Sequence, residues 1–232
     1  MFNNLINTVK ILLFSDNTSK DKQSILRENI VGEYKELLHT YEAFSAIMHK
    51  LLESLLIQRG YKYQLHSRIK DPQKLEEKIK RKQALGKQYY TLNEIEDLVG
   101  FRIIFYSEKD KESFIEDVKR EISGLMRLEE KERENGYSAT HIITSFGRKR
   151  LKLVEYKPFV GMRCEIQITS ALHHAWAEVE HDIIYKDING LEKIDPEKYH
   201  MAKKRLSEVL EKHIKIASDE FEKVLEEIRR IT

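Results

Sequence analysis

The chain has 232 residues, with 41 Lys+Arg against 39 Asp+Glu for a net charge of +2, and only 9 Gly and 3 Pro. That length supports a real core, and the scarcity of Gly and Pro excludes a collagenous or linker-rich chain and favours long helices. At 41% hydrophobic and 34% charged, the composition is globular rather than disordered, no apolar run reaches the ~18 residues of a membrane span, and the single Cys164 excludes a disulfide framework or a multi-Cys zinc site.

The N-terminal apolar run, 9–14, is too short for a secretory core, and Asp16, Asn17, Thr18 and Ser19 read as a break. The expected compartment is a reducing cytoplasm, with no membrane contact. From 21 to 59 apolar residues recur at helical spacing (Ile30, Tyr34, Leu37, Tyr41, Phe44, Met48, Leu52 and Leu55 among them), predicting one or two amphipathic helices ended by Gly60. Residues 61–69 suit a strand. Asp71-Pro72 then reads as an N-cap with Pro at N1, opening a helix that Gly86 stops. Strands are expected at 101–106, 139–146 and 162–169, with a helix at 111–122 between the first two. In 162–169 the side chains alternate, Met162, Cys164, Ile166 and Ile168 against Arg163, Glu165, Gln167 and Thr169. The segment 197–231 predicts a long amphipathic helix, or two joined near Ser218.

Strands separated by helices argue for an α+β fold, a mixed β-sheet of about five strands with flanking helices. The expected division is a helical extension at 1–60, a central unit at 61–190 and a second helical extension at 191–232.

Four groups of residues carry chemistry. On a helix starting at Pro72, Lys74, Lys78, Arg81 and Lys82 share one side while Leu75 and Ile79 point elsewhere. A one-sided basic helix suits a polyphosphate, although charge runs are commonly solvated surface. In Asp97-Leu98-Val99-Gly100-Phe101-Arg102 a carboxylate stands at a strand entrance, where it could hold Mg²⁺ with phosphate oxygens or simply end a turn. Asn135-Gly136-Tyr137 leads by a turn into a strand carrying His141; the aromatic could stack on a base. Glu165 and Gln167 lie side by side before a helix bearing His173, His174, Trp176, Glu180 and His181. A zinc reading of His174, Glu178 and His181 lacks an H-E-x-x-H motif.

Taken in order, Arg68-Ile69-Lys70-Asp71-Pro72 with Lys78 and Arg81-Lys82, then Asp97 to Arg102, Asn135-Gly136-Tyr137 with His141, Glu165-Ile166-Gln167-Ile168, and His181 with Tyr185-Lys186 resemble the RelA/SpoT-type alarmone synthetase domain over roughly 60–190. The spacing is most similar to that of the small stand-alone synthetases. The resemblance implies a nucleotidyltransferase-like synthetase fold and transfer of the β,γ-pyrophosphate of ATP to the 3′-hydroxyl of GDP or GTP, with Mg²⁺ as cofactor. It implies that Arg68 and Arg102 sandwich the adenine, and that Lys70, Lys78 and Arg81, aided by Lys82 and Lys87, hold ATP phosphates. Asp97 is implied to bind Mg²⁺ with help from Glu165. Tyr137 is implied to stack on the acceptor base, with Arg133 and His141 near its phosphates. Glu165 is implied to take the proton of the attacking hydroxyl, supported by Gln167; a glutamate of ordinary pKa, about 4.3, is ionised at neutral pH and suits that role.

Gly136-Tyr137-Ser138-Ala139-Thr140-His141 stands where the family commonly has Gly-Tyr-Arg-Ser-x-His, and Ile168-Thr169-Ser170 where it commonly has Ile-Arg-Thr. Positive charge is therefore missing on the acceptor side. Two alternatives stay open: a toxin-like relative that modifies an adenine nucleotide or the 3′ end of tRNA, consistent with the basic Arg148, Lys149 and Arg150, and a non-catalytic nucleotide-sensing module. A homo-oligomer built on 197–231 is a further expectation.

Overall fold

The computed structural model describes residues 19–122, 124–132, 138–185 and 190–231. Helix α1 (Ser19–Gln58) is followed by β1 (Tyr63–Ile69), α2 (Pro72–Ala84), β2 (Val99–Phe105), α3 (Glu108–Glu121), β3 (Leu125–Glu132), β4 (Ser138–Thr144) and β5 (Cys164–Ser170). Then come α4 (Ala171–Glu180), a π-helical turn at His181–Tyr185, and the helices α5 (Leu191–Ile194), α6 (Pro196–Val209) and α7 (Lys215–Ile231). The strands form one mixed sheet in the order β1-β2-β5-β4-β3, parallel only between β2 and β5. This is the expected α+β architecture, a five-stranded sheet with flanking helices.

One face of the sheet is apolar. Phe101, Ile103 and Phe105 of β2, Cys164, Ile166 and Ile168 of β5, and Ile142 of β4 are almost wholly buried. They join Tyr34, Phe44, Met48, Leu52 and Leu56 of α1 in one core. The helical spacing of 21–59 thus forms a single helix, about 60 Å long at 1.5 Å per residue, because one continuous apolar stripe finds one sheet to cover. Gly60, at φ +72°, turns the chain out of it in a conformation that suits glycine. Helix α3 adds Phe114, whose ring lies 5.3 Å from that of Phe105. Phe44, Phe146, Phe159 and Tyr156 form an aromatic cluster that fastens the β4–β5 connection.

Helix α2 begins as its sequence predicts: Asp71 Oδ1 accepts from the backbone N–H of Gln73 at 2.8 Å, and Pro72 fills the first helical position. Leu75 and Ile79 are fully buried where α2 packs on α1. Its cationic side therefore faces away from the core.

Two features differ from the sequence reading. Strand β3 was not expected, because Arg127, Glu129, Glu130, Lys131 and Glu132 give it neither apolar alternation nor β-branched residues; pairing with β4 imposes the strand. The C-terminal helices are interrupted by a π-helical turn at Leu210–Ile214 rather than near Ser218, where Leu210 is fully buried.

The start of α3 meets the end of β5 at an ionic cluster. Glu108 pairs with Lys111 and lies 3.1 Å from His173 Nδ1. Burial opposes the charged form, but His173, Lys111 and Ser170 outweigh it and bring the Glu108 carboxyl down to about 2. A depressed folded-state pKa gives stability that is complete above the ordinary carboxylate value, about 4.5, and is lost as pH falls toward 2. Glu108→Gln is expected to cost on the order of 2 kcal/mol at pH 6 and nothing near pH 2. Chemical denaturation across that range checks this; a constant difference between the two proteins would refute the ion pair's role.

Candidate functional site

The other face of the sheet is polar, and its side chains fall into two rows. Strand register aligns Arg127, Ile143, Glu165, Gly100 and Arg68 in one row, and Glu129, His141, Gln167, Arg102 and His66 in the next. Residues directly opposite one another on neighbouring strands share a face, so the alternation of β5 delivers Glu165 and Gln167 to the same surface as Arg68 and Arg102.

Asp97 lies two residues before β2. Its Oδ1 accepts from Lys78 at 2.6 Å and its Oδ2 faces Lys70 Nζ at 3.0 Å. Burial disfavours its charge, yet the hydrogen bond and charge of Lys78, joined by Lys70, outweigh that and hold the carboxyl below its ordinary value. Lys70 is itself fixed from both sides: its N–H donates to the Leu98 carbonyl at 2.8 Å, and its carbonyl accepts from the Tyr34 hydroxyl at 2.6 Å. Burial, with the nearby carboxylates of Asp71, Glu42 and Asp97, pushes the Tyr34 phenol up to about 12, so it stays a donor.

Glu165 is oriented at both oxygens. His141 Nδ1 lies 2.7 Å from Oε1, and Gln167 Nε2 donates to Oε2 at 3.0 Å. A carboxylate only accepts, so the His141 proton sits on Nδ1.

Asp97, Glu165, His141, Lys70 and Lys78 line one cavity of about 730 Å³. Lys70, Lys74, Lys78, Arg81, Lys82 and Lys87 come from α2 and the segments flanking it; Asp97, Glu165 and His141 face them, and Arg127 closes the far side. Beside it, Arg68, Arg102, Gln167 and His174 line a second cavity of about 320 Å³. Gly100 makes room there: a Cβ on it would lie 3.2 Å from Arg68 Nε. Arg102 Nη1 donates to Glu178 of α4 at 2.7 Å. Burial, followed by the charge of Arg102, lowers the pKa of the neighbouring His174.

The structure thus brings together Arg68, Lys70, Lys78, Arg81, Lys82, Lys87, Asp97, Arg102, His141, Glu165 and Gln167 on one face. Arg133 and Tyr137 lie outside the described residues. Sequence reasoning missed Glu96, next to Asp97, and Arg127 and Glu129 on an unrecognised strand; it named Glu178 only in a zinc reading, whereas here Glu178 accepts from Arg102. Among the described residues no three His, Cys, Asp or Glu side chains form a metal cage. Asp97 and Glu165 fit a divalent ion of the kind that needs one or two carboxylates and takes its other ligands from water and phosphate.

A model of the region found in RelA / SpoT proteins matches residues 67–190, more than half of the chain. The chain belongs to the RelA/SpoT family. The match spans both cavities' principal residues from Arg68 to Gln167. Among solved structures, small alarmone synthetase 1 from Bacillus subtilis superposes with a TM-score of 0.65 at 19% identity, over 85% of this chain and 98% of that one. A GTP pyrophosphokinase family protein from Streptococcus pneumoniae gives 0.64 at 19% identity, over 86% and 96%. The Bacillus subtilis enzyme bound to its product pppGpp gives 0.61 at 20%, over 87% and 98%. At such identities these likenesses establish a shared fold. No curated protein sequence gives a significant match. Among the described residues no helix is long and apolar enough to cross a membrane.

Tyr34→Phe is expected to destabilise the RelA/SpoT-family fold by about 1–2 kcal/mol, since it removes the donor from the Lys70 carbonyl. Urea denaturation measures it; unchanged stability would show that the hydroxyl contributes nothing.

Proposed function

We propose that this protein transfers the β,γ-pyrophosphate of ATP to the 3′-hydroxyl of GDP or GTP, forming the alarmones ppGpp and pppGpp. The carrying observation is that Asp97 and Glu165, from separate stretches of chain, line one cavity with a cationic wall. The family match and the fold shared with a synthetase bound to pppGpp support the same reading.

Pyrophosphoryl transfer depends on in-line positioning and neutralisation of phosphate charge more than on covalent help from the protein. In this reading Lys70, Lys78, Arg81, Lys82 and Lys87 bind the donor phosphates, and Arg68 and Arg102 enclose its adenine. Binding the adenine draws Arg102 away from Glu178. Glu165, held by His141 and Gln167, accepts the proton of the 3′-hydroxyl as that oxygen attacks the β-phosphorus; the bond from the β-phosphorus to the α,β-bridging oxygen breaks and AMP leaves with that oxygen. Arg133 and Tyr137 belong to the acceptor side, as the resemblance implies. Asp97 and Glu165 would hold Mg²⁺, which supplies charge neutralisation at the nonbridging oxygens.

Glu165→Gln is expected to lower the transfer rate by about 10²–10⁴-fold while binding of a non-hydrolysable ATP analogue stays within a few-fold. Steady-state rates set beside calorimetry check this; turnover at the parental rate would exclude Glu165 as the base. For Asp97→Asn, an Mg²⁺ titration of the initial rate should show a loss of about 10²-fold or more. A full Mg²⁺-dependent rate in that variant would remove Asp97 from the metal site.

A second reading, with the 3′ end of tRNA as acceptor, is favoured by the exposed Arg148, Lys149 and Arg150. Incubation with labelled ATP and GDP, GTP, adenine nucleotides or tRNA in turn distinguishes the two. Label in the guanine nucleotides is expected, and label confined to tRNA would overturn the alarmone reading.

A further inference from the structure

In the reaction proposed above both substrates are purine nucleotides, so the ATP site has to tell adenine from guanine. The faces of the base cannot do this, because arginines stacked on a purine attract any base that offers a π-face. The difference lies on the edge, where adenine carries a 6-amino group that donates hydrogen bonds and guanine a 6-oxo group that accepts them. A side chain that only accepts at that edge admits one and repels the other.

Besides Arg68 and Arg102, the polar residues of the second cavity are His66, Ser67, Gln167 and His174. Gln167 is engaged by Glu165, to which its Nε2 donates. Ser67 stands opposite Phe101, a residue of the buried core, and so shares the apolar face of the sheet. His66 is exposed on the edge strand β1. His174, on α4, has no role in the family resemblance; its side chain is only 24% exposed.

One turn along α4, Glu178 Oε1 lies 3.8 Å from His174 Nδ1. That is too far for a direct hydrogen bond, yet near enough for the carboxylate's charge to favour the proton on that nitrogen. Burial and then the charge of Arg102 lower the pKa of the ring, which favours the neutral imidazole. A neutral imidazole with its proton on Nδ1 holds a lone pair on Nε2, across the ring, and there it only accepts.

We propose that His174 selects adenine as the base of the pyrophosphate donor, its Nε2 accepting from the 6-amino group, so that adenine nucleotides enter the second cavity and 6-oxopurines are turned away. This rests on the transferase reading above, in which Arg68 and Arg102 enclose that base. Guanine in the same place would set its O6 against the Nε2 lone pair and leave two acceptors facing each other unpaired. Once the base draws Arg102 off, Glu178 retains His174 Nδ1 as its neighbour, so base binding reinforces the tautomer that reads it.

Calorimetric titration of the full chain, with GDP saturating the acceptor site, tests this. The probes are the α,β-methylene triphosphates of adenosine, inosine and purine riboside, whose bases carry at position 6 an amino group, an oxo group and hydrogen. In the parental protein the adenosine analogue should bind about ten-fold more tightly than the purine analogue, and the inosine analogue more weakly still. His174→Ala should bring all three within about three-fold of one another, chiefly by weakening the adenosine analogue. In His174→Gln the side-chain amide can accept from a 6-amino group or donate to a 6-oxo group, so the adenosine and inosine analogues should bind alike. Both replacements suit a helix, and GDP affinity measured alone should stay within two-fold in each. A parental protein that binds the adenosine and inosine analogues equally, or a His174→Ala variant that keeps the parental preference, would overturn the assignment. The transfer assay is scored separately. A parental chain that shows the base preference but transfers nothing would overturn the transferase reading and leave the titrations to decide His174; one that binds no adenosine analogue would overturn both.

Discussion

Asp97 and Glu165 are far apart in the chain and reach one cavity because β2 and β5 run parallel, with Gly100 abreast of Glu165. Parallel pairing sets the entrance of β2, where Asp97 lies, beside the start of β5. Register matters as much as direction. A slip of one residue would carry Glu165 and Gln167 to the apolar face and bring Cys164, Ile166 and Ile168 into the cavity. Burial of those three residues against α1 penalises that slip, so the packing of one face enforces the chemistry of the other.

Charge is distributed to match. Asp97 lies between Lys70 and Lys78, which outweigh the burial that disfavours its charge. The same lysines face the cavity, so the groups that favour the charged form of Asp97 are also groups suited to phosphate. Lys70 is held in place by a hydrogen bond from α1, on the other side of the sheet, through Tyr34. At Gly100 the absence of a side chain lets Arg68 lie across the strand.

Much of this was legible in the sequence. The Asp71-Pro72 start of α2, the buried Leu75 and Ile79, the alternation of β5 and the single stripe of α1 follow from local periodicity and capping. The candidate residues were legible as ordered blocks of a known family. Their convergence was not, since it depends on strand order and register, which no local pattern encodes. Strand β3 was hidden because its charged residues resemble a solvated helix and only pairing with β4 makes it extended. Arg127 and Glu129 were hidden with it. The interruption at Leu210–Ile214 was invisible for a similar reason: its local sequence is good helix, and the buried Leu210 belongs to tertiary packing.

The C-terminal helix α7 is joined to the body differently from everything before it. None of its residues is fully buried. It is tied to the start of α3 through Ser107 and Glu222, Lys109 and Glu226, and Asp110 and Arg229. Two of these three are charge pairs, which dissolved ions screen over about 8 Å at physiological ionic strength while leaving apolar packing intact. The molecule therefore has two kinds of mortar: apolar packing binds the sheet to α1, whereas part of the grip on α7 weakens as the surrounding electrolyte thickens.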